Sequence, residues 1–170
     1  MINFKKGPAL SLHQINYIGK AVTGQGVVAG MVVRLNNNSG TVEVLKGSSD
    51  SSPDLNAIYG FAINNQDAGD VIESGVIGVY ALDGASVIET DQAAATINYT
   101  NYPIGSLLTT NTSGQVVKAS DQTSLTAVKI IGQVEGIRTI PGNVQSLTDN
   151  NGNAFKVQGT TTVLGVKLAS

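Results

Sequence analysis

Short apolar runs alternate with short polar segments along most of the chain, a pattern that predicts β-strands joined by tight turns. In residues 57–82, two apolar runs, AIYGFAI and VIGVYAL, flank a polar segment at residues 64–70. Residues 41–46 place Val42 and Val44 on one face, as expected for a half-buried strand. No stretch shows a 3.6-residue period. Many short strands at regular spacing are typical of a barrel or a sandwich.

Glycine and asparagine mark the turns between these runs, because both residues tolerate the positive φ that tight hairpin turns need. The predicted hairpin turns include NNNSG at residues 36–40, NTSG at 111–114 and TDNNGN at 148–153. The strands that we predict cover residues 15–22, 27–35, 41–46, 57–63, 76–82, 85–89, 105–110, 115–119, 127–137, 144–147, 155–158 and 161–168.

We therefore predict an all-β protein, a compact β-barrel or β-sandwich of short antiparallel strands with an extended N-terminal arm and a C-terminal hairpin. The arm covers residues 1–24, and the barrel or sandwich core covers residues 25–141. A frayed terminus is the alternative for residues 1–14. We expect the segment TIPG, residues 139–142, to close the core. The C-terminal hairpin and strand, residues 142–170, are either part of the core or an interface.

One pattern occurs twice in the chain. A glycine, an apolar strand, an Asn-rich turn ending in Ser-Gly, a second apolar strand, a polar loop and a third apolar strand follow one another from Gly30 and again from Gly105. We interpret the copies as two related three-stranded sheets that close on each other, since neither covers its own apolar face. A chance likeness between two hairpins of a β-rich chain is the alternative.

Charge is scarce in this sequence. Of its 170 residues, 41% are hydrophobic and 13% are charged, about half the usual ~25%. The net charge is −2 and no basic run exceeds Lys5-Lys6, so we expect no nucleic-acid partner. There is no signal-peptide-like start and no apolar run near the ~18–20 residues of a membrane span. We expect a soluble protein made in a cytoplasm, with a polar, uncharged surface that suits dense assembly.

No stretch combines the residues of a catalytic or metal site. His13 is the only histidine and there is no cysteine, so neither a disulfide nor a His/Cys metal site can form. Asp67, Asp70 and Glu73 lie in a polar loop, whereas acid–base catalysis needs a buried carboxyl. The segment from Asp149 lacks the glycine and glutamate of a calcium loop, and we interpret it as a turn. We expect no enzyme, no cofactor and no metal.

The aromatic residues fall into two groups. Tyr59, Phe61 and Tyr80 lie in the central apolar runs, where core packing is the expected role and a sugar-stacking platform is the alternative. Tyr99 and Tyr102 lie in an irregular segment, and we predict that they form exposed partner contacts, for which tyrosine is well suited.

Residues 26–82, together with the second copy of the repeated pattern, resemble the capsid decoration (cement) proteins and related small β-rich head proteins of tailed bacteriophages. The strand GVVAGMVVRL, the returning strand GFAI and the run GVIGVYALDG ending at Gly84 carry the resemblance. It covers about half of the chain as a pattern of strands and glycines without a signature motif. Residues 1–24 and 142–170 lie outside it.

The resemblance implies a virion structural protein, synthesised in the host cytoplasm, that binds the outer capsid surface and stabilises the head. Its partner would be the major capsid protein, and it would assemble as a homo-oligomer, a trimer or a dimer. The family uses extended termini to reach neighbouring subunits. The candidate interface residues are Phe4, Lys5, Lys6, His13 and Tyr17 in the arm, with Tyr99 and Tyr102.

Two other functions fit the sequence. The first is a different phage component, such as a tail tube, a tail fibre or a head fibre, and the second is a carbohydrate-binding or adhesive β module. A tube protein should form rings or tubes in isolation. A glycan-binding module should lose binding when Tyr59, Tyr80, Tyr99 or Tyr102 becomes alanine.

Overall fold

The computed structural model describes residues 2–6, 15–21, 26–36, 41–44, 58–63, 65, 76–111, 113–122 and 129–169. The predicted all-β class is confirmed, since these residues form strands, turns and one short 3₁₀ helix, Ala119–Asp121, and no α-helix. His13 and the acidic segment with Asp67, Asp70 and Glu73 lie outside the described residues.

The described residues contain eleven strands, most of them short. They are β1 (Ile2–Lys6), β2 (Ile15–Ala21), β3 (Val32–Asn36), β4 (Thr41–Val44), β5 (Ile58–Ala62), β6 (Val76–Ala81), β7 (Val87–Thr90), β8 (Leu107–Thr110), β9 (Val116–Lys118), β10 (Gly132–Thr148) and β11 (Ala154–Leu168). Compared with the sequence prediction, β3 begins later, because a turn at Ala29–Gly30 precedes it.

The strands form two sheets. One closes into a barrel in the order β2-β4-β3-β5-β6, and the other has six strands in the order β1-β7-β11-β10-β8-β9. Neighbouring strands are antiparallel in both sheets, except that β2 and β4 pair in parallel at Lys20 and Ala21. The predicted antiparallel pairing is therefore confirmed apart from this one parallel contact.

The two sheets contain the same five-stranded unit. The first unit, residues 15–81, has the order β2-β6-β5-β3-β4, and the second unit, residues 87–168, has the order β7-β11-β10-β8-β9. A parallel pairing of β2 with β4 closes the first unit, and a parallel bridge between Ala93 and Val116 joins the corresponding ends of the second. The strand β1 is an addition to the second unit.

The strand register repeats as well. Val33 pairs with Gly60 in the first unit, and Leu108 pairs with Gly132 in the second. Gly60 in turn pairs with Ala81, and Gly132 with Leu168. The repeat thus reaches the level of single residue pairs.

Glycines occupy matching special positions in both units. Gly30 and Gly105 have φ of 95° and 81°, a region that favours glycine, and they lie two residues before the equivalent strands β3 and β8. A Cβ on Gly60 would collide with the Tyr80 carbonyl, and one on Gly132 would collide with the Lys167 carbonyl. Neighbouring strands therefore approach these two glycines too closely for any side chain.

The sequence pattern that occurs from Gly30 and again from Gly105 is part of this duplication. Its three strands have matching orders in the two copies, β4-β3-β5 and β9-β8-β10. The expectation of two three-stranded sheets closing on each other was wrong, because each triplet lies within a larger sheet. Two further strands extend each triplet within its sheet, β6 and β2 beyond β5, and β11 and β7 beyond β10.

The two units share one buried hydrophobic cluster. Val32 and Phe61 from the first unit belong to the same cluster as Ile88, Leu108 and Leu164 from the second. Two hydrogen bonds also cross between the units: Val32 N–H donates to the Gly114 carbonyl, and the buried Thr90 hydroxyl donates to the Gly30 carbonyl. The core therefore lies between the units as well as inside them.

The strand β10 is longer than the sequence predicts. Residues 139–142 were expected to close the core, but β10 continues through them, and the predicted hairpin at 144–158 is the far end of β10 and β11. Pro141 lies where β10 pairs only with β11 among the described strands, and a bulge follows it before Val144. The C-terminal hairpin is confirmed, and β11 joins it to the second unit.

The N-terminal segment contributes two strands. Within residues 1–24, Ile2–Lys6 forms β1 on the edge of β7, and Ile15–Ala21 forms β2 of the barrel. Each of these strands is paired with another strand of the same chain.

Candidate partner-binding surfaces

The far end of the β10–β11 hairpin is exposed on both of its faces. Within residues 144–158, which we name the distal hairpin, Val144 is 57% exposed, Leu147 44% and Val157 41%. The register places Leu147 and Val157 on one face and Val144 on the other. Exposed apolar side chains on both faces of one hairpin mark it as a candidate contact surface.

The tip of this hairpin is a tight turn whose hydrogen bonds are made among its own residues. One carboxylate oxygen of Asp149 accepts from the N–H groups of Asn151 and Asn153, at 2.8 Å each. The other accepts from the Asn153 side-chain amide at 3.0 Å. The Asn153 hydrogen bonds hold the pKa of Asp149 below its usual range. The predicted turn is confirmed, and the aspartate orders the tip.

An ion pair between a buried glutamate and a half-exposed arginine lies at the base of the hairpin. Glu89 is 1% exposed, and the Arg138 guanidinium contacts both of its carboxylate oxygens at 2.5 Å. This hydrogen bond raises the pKa of Arg138. Glu89 pairs across the sheet with Gly165, which in turn pairs with Gly136. The pair joins β7 to β10 across β11, so it anchors the hairpin to the second unit.

The structure separates the two tyrosines predicted as exposed contacts. Tyr99 is 54% exposed, and its hydroxyl lies 3.3 Å from both the carbonyl and the N–H of Ile137. Tyr102 is only 2% exposed, and its hydroxyl donates to the Val116 carbonyl and accepts from the Ala95 N–H. Burial raises the pKa of Tyr102.

The prediction that Tyr102 is exposed was therefore wrong. The segment before it folds into a turn, with Tyr102 N–H donating to the Asn98 carbonyl and Asn101 N–H to the Asn98 side chain. This turn directs the ring into the shared cluster, where the backbone satisfies its hydroxyl. Phe61 and Tyr80 also pack in or against that cluster, as predicted. Of these aromatic residues, only Tyr99 remains on an open surface.

The predicted contacts of the N-terminal segment lie on paired strands. Phe4, Lys5 and Lys6 are in β1, with Phe4 opposite Ile88 and Lys6 opposite Val87. Tyr17 is in β2, opposite Val79. Their role in binding a partner stays a prediction.

A shallow cleft of about 370 Å³ lies on the second unit. Leu107, Gln133 and Lys167 are neighbours across three strands and line it. The corresponding residues of the first unit, Val32, Phe61 and Tyr80, pack in or against the shared cluster. In the first unit, this face therefore packs against the second unit. The equivalent face of the second unit is open and more polar.

The described residues hold no group of three or more histidine, cysteine, aspartate or glutamate side chains that would fit a metal ion. A helix long and apolar enough to cross a membrane is likewise not found in the described part of the chain.

No protein-family model matches this chain, and no curated protein or solved structure is significantly similar to it.

Proposed function

We propose that this chain is a structural protein of a phage virion, a capsid decoration protein that binds the outer surface of the head and stabilises it. The resemblance of the sequence to capsid decoration proteins suggests this function. The observation that carries it is the distal hairpin, with Val144, Leu147 and Val157 exposed at its far end. An exposed apolar hairpin is typical of a surface that a partner protein covers.

The chemistry of the surface agrees with this role. The distal hairpin contains one acidic and one basic residue, Asp149 and Lys156, and is otherwise uncharged. Such a segment makes contacts through apolar burial and backbone hydrogen bonds, which depend little on salt. A protein that must stay bound to a particle in varied media benefits from contacts of this type.

The partner is the major capsid protein of the assembled head, and the chain acts there as a homo-oligomer, a trimer or a dimer. Stabilisation follows from mass action, because a ligand that binds only the assembled shell lowers the free energy of that state. The protein is made in the host cytoplasm and resides on the virion surface.

The test adds purified protein to undecorated heads and measures binding and the temperature at which the heads release DNA. The wild-type chain should bind and raise that temperature. The triple variant Val144→Ser, Leu147→Ser, Val157→Ser should fold normally and bind weakly, since its apolar contact surface is removed.

A matched control removes exposed apolar side chains elsewhere in the second unit, with Ile104→Ser and Leu107→Ser. This control should bind as the wild type does. Failure of the wild-type chain to bind heads, or equal loss in the control and the hairpin variant, would contradict the proposal.

A further inference from the structure

One edge of β10 extends beyond its pairing with β8. The strand β8 pairs with β10 at Gly132 and Gln133, and just before β8 the Gly105 N–H donates to the Val134 carbonyl. From Gly136 onwards, no described strand pairs with this outer edge. An open strand edge presents a row of backbone N–H and C=O groups that pair readily with another strand.

The register shows which backbone groups face this edge. Pairing with β11 is unbroken from Gly136 to Pro141. In an antiparallel strand, alternate residues direct both their N–H and their C=O to the same side. The N–H and the C=O of Ile137 both contact the Tyr99 hydroxyl and therefore point away from β11. The next outward-facing groups are those of Thr139 and Pro141.

Two of these three positions are blocked against a further strand. The Tyr99 hydroxyl accepts from the Ile137 N–H and donates to the Ile137 carbonyl, at 3.3 Å each, so it takes the place of a paired residue. Pro141 has no N–H to donate. Only Thr139, which is exposed, has an outward N–H and C=O without such an obstacle.

The two obstacles fall on opposed positions of the contact that this edge would otherwise make. A two-fold axis at Thr139 would place that residue opposite its own equivalent, and Ile137 opposite residue 141 of the other copy. Opposed residues of a hydrogen-bonded pair exchange two N–H···O=C bonds. Because Tyr99 occupies both groups of Ile137 and Pro141 offers no donor, only the Thr139 pair could form.

The strand that continues from this edge is prone to association. It leads into the distal hairpin, where Val144, Leu147 and Val157 are exposed, and a long apolar strand edge favours pairing between copies. Charged residues commonly protect such edges. The charge within residues 136–141 is Arg138, and its guanidinium is bound to Glu89. Protection of this edge therefore depends on other groups.

We propose that Tyr99 and Pro141 block the outer edge of β10 and so keep copies of the chain from pairing along it. Tyr99 acts within its own chain, as a side chain that replaces a strand partner. This role explains why a tyrosine that is 54% exposed directs its hydroxyl at both backbone groups of one residue. It does not depend on capsid binding, and it leaves oligomer contacts on other surfaces unaffected.

A double variant that opens the edge tests the proposal. Tyr99→Ser with Pro141→Thr removes the hydroxyl and restores an N–H at position 141. Serine is too short to reach Ile137 and is less apolar than tyrosine, so new association would come from the opened backbone. Tyr99→Phe with Pro141→Thr keeps the aromatic ring and replaces the first variant if that one does not fold. Thermal unfolding checks the fold of each variant.

The control makes similar changes away from this edge. Pro103→Thr with Ile104→Ser replaces an exposed proline and an exposed apolar side chain in the turn before β8. It leaves Tyr99 and Pro141 in place and should sediment as the wild type does. At equal concentration, the double variant should sediment as a larger species than the wild type, and each of its single variants should associate less than the double variant.

A cysteine at the centre of the edge locates the contact, because the wild-type chain has none. Opposed residues in a hydrogen-bonded pair have Cα atoms about 5.5 Å apart, within the range that a disulfide spans. Thr139→Cys should form disulfide-linked dimers ~10-fold or more faster in the double variant than in an otherwise wild-type chain, because pairing raises the effective concentration of the two thiols.

Two results would overturn the proposal. The first is a folded double variant that sediments as the wild type does. The second is association without faster cross-linking at position 139, which would place the contact on another surface. Neither measurement involves phage heads, so failure of the wild-type chain to bind them would contradict the capsid proposal and leave this one standing.

Discussion

At the scale of single residues, the Glu89–Arg138 pair joins a buried carboxylate to a guanidinium through two hydrogen bonds. A carboxylate removed from water is costly unless it is paired and hydrogen-bonded. Arg138 meets this need with two parallel N–H donors, although its own side chain is about half exposed. The pair therefore stabilises the fold mainly by offsetting the cost of removing the Glu89 carboxylate from water.

Arg138→Ala should lower the free energy of unfolding by about 1–3 kcal/mol, since it leaves a buried charge without its main partner. Urea unfolding of the two proteins measures the difference. Lys118→Ala removes the Lys118–Asp121 pair, whose aspartate is exposed and whose separation is 3.5 Å, and should cost under ~0.5 kcal/mol. Equal effects of the two substitutions would show that burial of Glu89 does not matter.

A second residue-scale effect lies in the turn before β7. Asp83 accepts hydrogen bonds from the N–H groups of Ala85 and Ser86, at 3.0 and 2.8 Å, and from the Ser86 hydroxyl. Burial raises the pKa of Asp83, but these hydrogen bonds outweigh it, and the net pKa lies below the usual value. The ionised carboxylate thus stabilises this turn.

Because its pKa is lowered on folding, Asp83 stabilises the fold above its unfolded-state pKa of about 3.9, and this is lost as pH falls through the folded-state pKa. Asp83→Asn keeps an acceptor but removes the charge. It should destabilise the protein by about 0.5–1 kcal/mol at pH 7, and the difference should shrink below pH ~4. Unfolding curves measured across this range check it, and a constant difference would contradict it.

At the scale of elements, the long strand β10 has two regions with different requirements. Its first residues lie between β8 and β11, where the backbones approach closely. The rest pairs only with β11 among the described strands and ends in the exposed distal hairpin. One strand therefore serves both as part of the core and as a projecting surface.

Two glycines of β10 test this difference. A Cβ on Gly132 would collide with the Lys167 carbonyl and the Val166 side chain, whereas a Cβ on Gly136 meets nothing within 4 Å. Gly132→Ala should destabilise the protein by about 2 kcal/mol or more. Gly136→Ala should be neutral or stabilise it slightly, by up to about 1 kcal/mol. Thermal unfolding of both variants measures this, and a reversed order would contradict the close approach.

At the scale of the whole molecule, the two units are not independent. Val32 and Phe61 of the first unit are fully buried in a cluster whose other members belong to the second. Neither unit alone would cover those side chains. We therefore expect the chain to unfold in one cooperative step despite its duplicated architecture.

Calorimetry checks this expectation, since the calorimetric and van't Hoff enthalpies agree for a single step. Phe61→Ala should lower the free energy of unfolding by about 3–5 kcal/mol and keep one transition. Ile104→Ala, on the surface of the second unit, should change little. Two separate transitions in the wild type would show that the shared cluster does not couple the units.

The sequence indicates one part of the duplication, and the rest is seen only in the structure. The echo from Gly30 and Gly105 indicates three strands per unit, and the runs VIGVYA in β6 and VLGVKL in β11 are a further signal that was missed. β2 and β7 share no obvious pattern. Their equivalence is seen only in the register of their pairs with Gly78 and Gly165.

The candidate surfaces show the same division. The tip of the hairpin was predictable, since its Asp149 turn forms by local hydrogen bonds. The depth of Tyr102 and the pairing of Glu89 with Arg138 were not, because each depends on partners 14 and 49 residues away in the chain.

The sequence by itself determined the all-β class, the tight turns and the lack of cysteine, because these follow from local backbone preference and composition. Tertiary structure alone decided which edges are covered, which of the two equivalent faces is buried, and where the long hairpin projects. Such features depend on strand pairing between residues far apart in the chain. An alternating pattern shows that a strand has a buried face, but not which strand lies beside it.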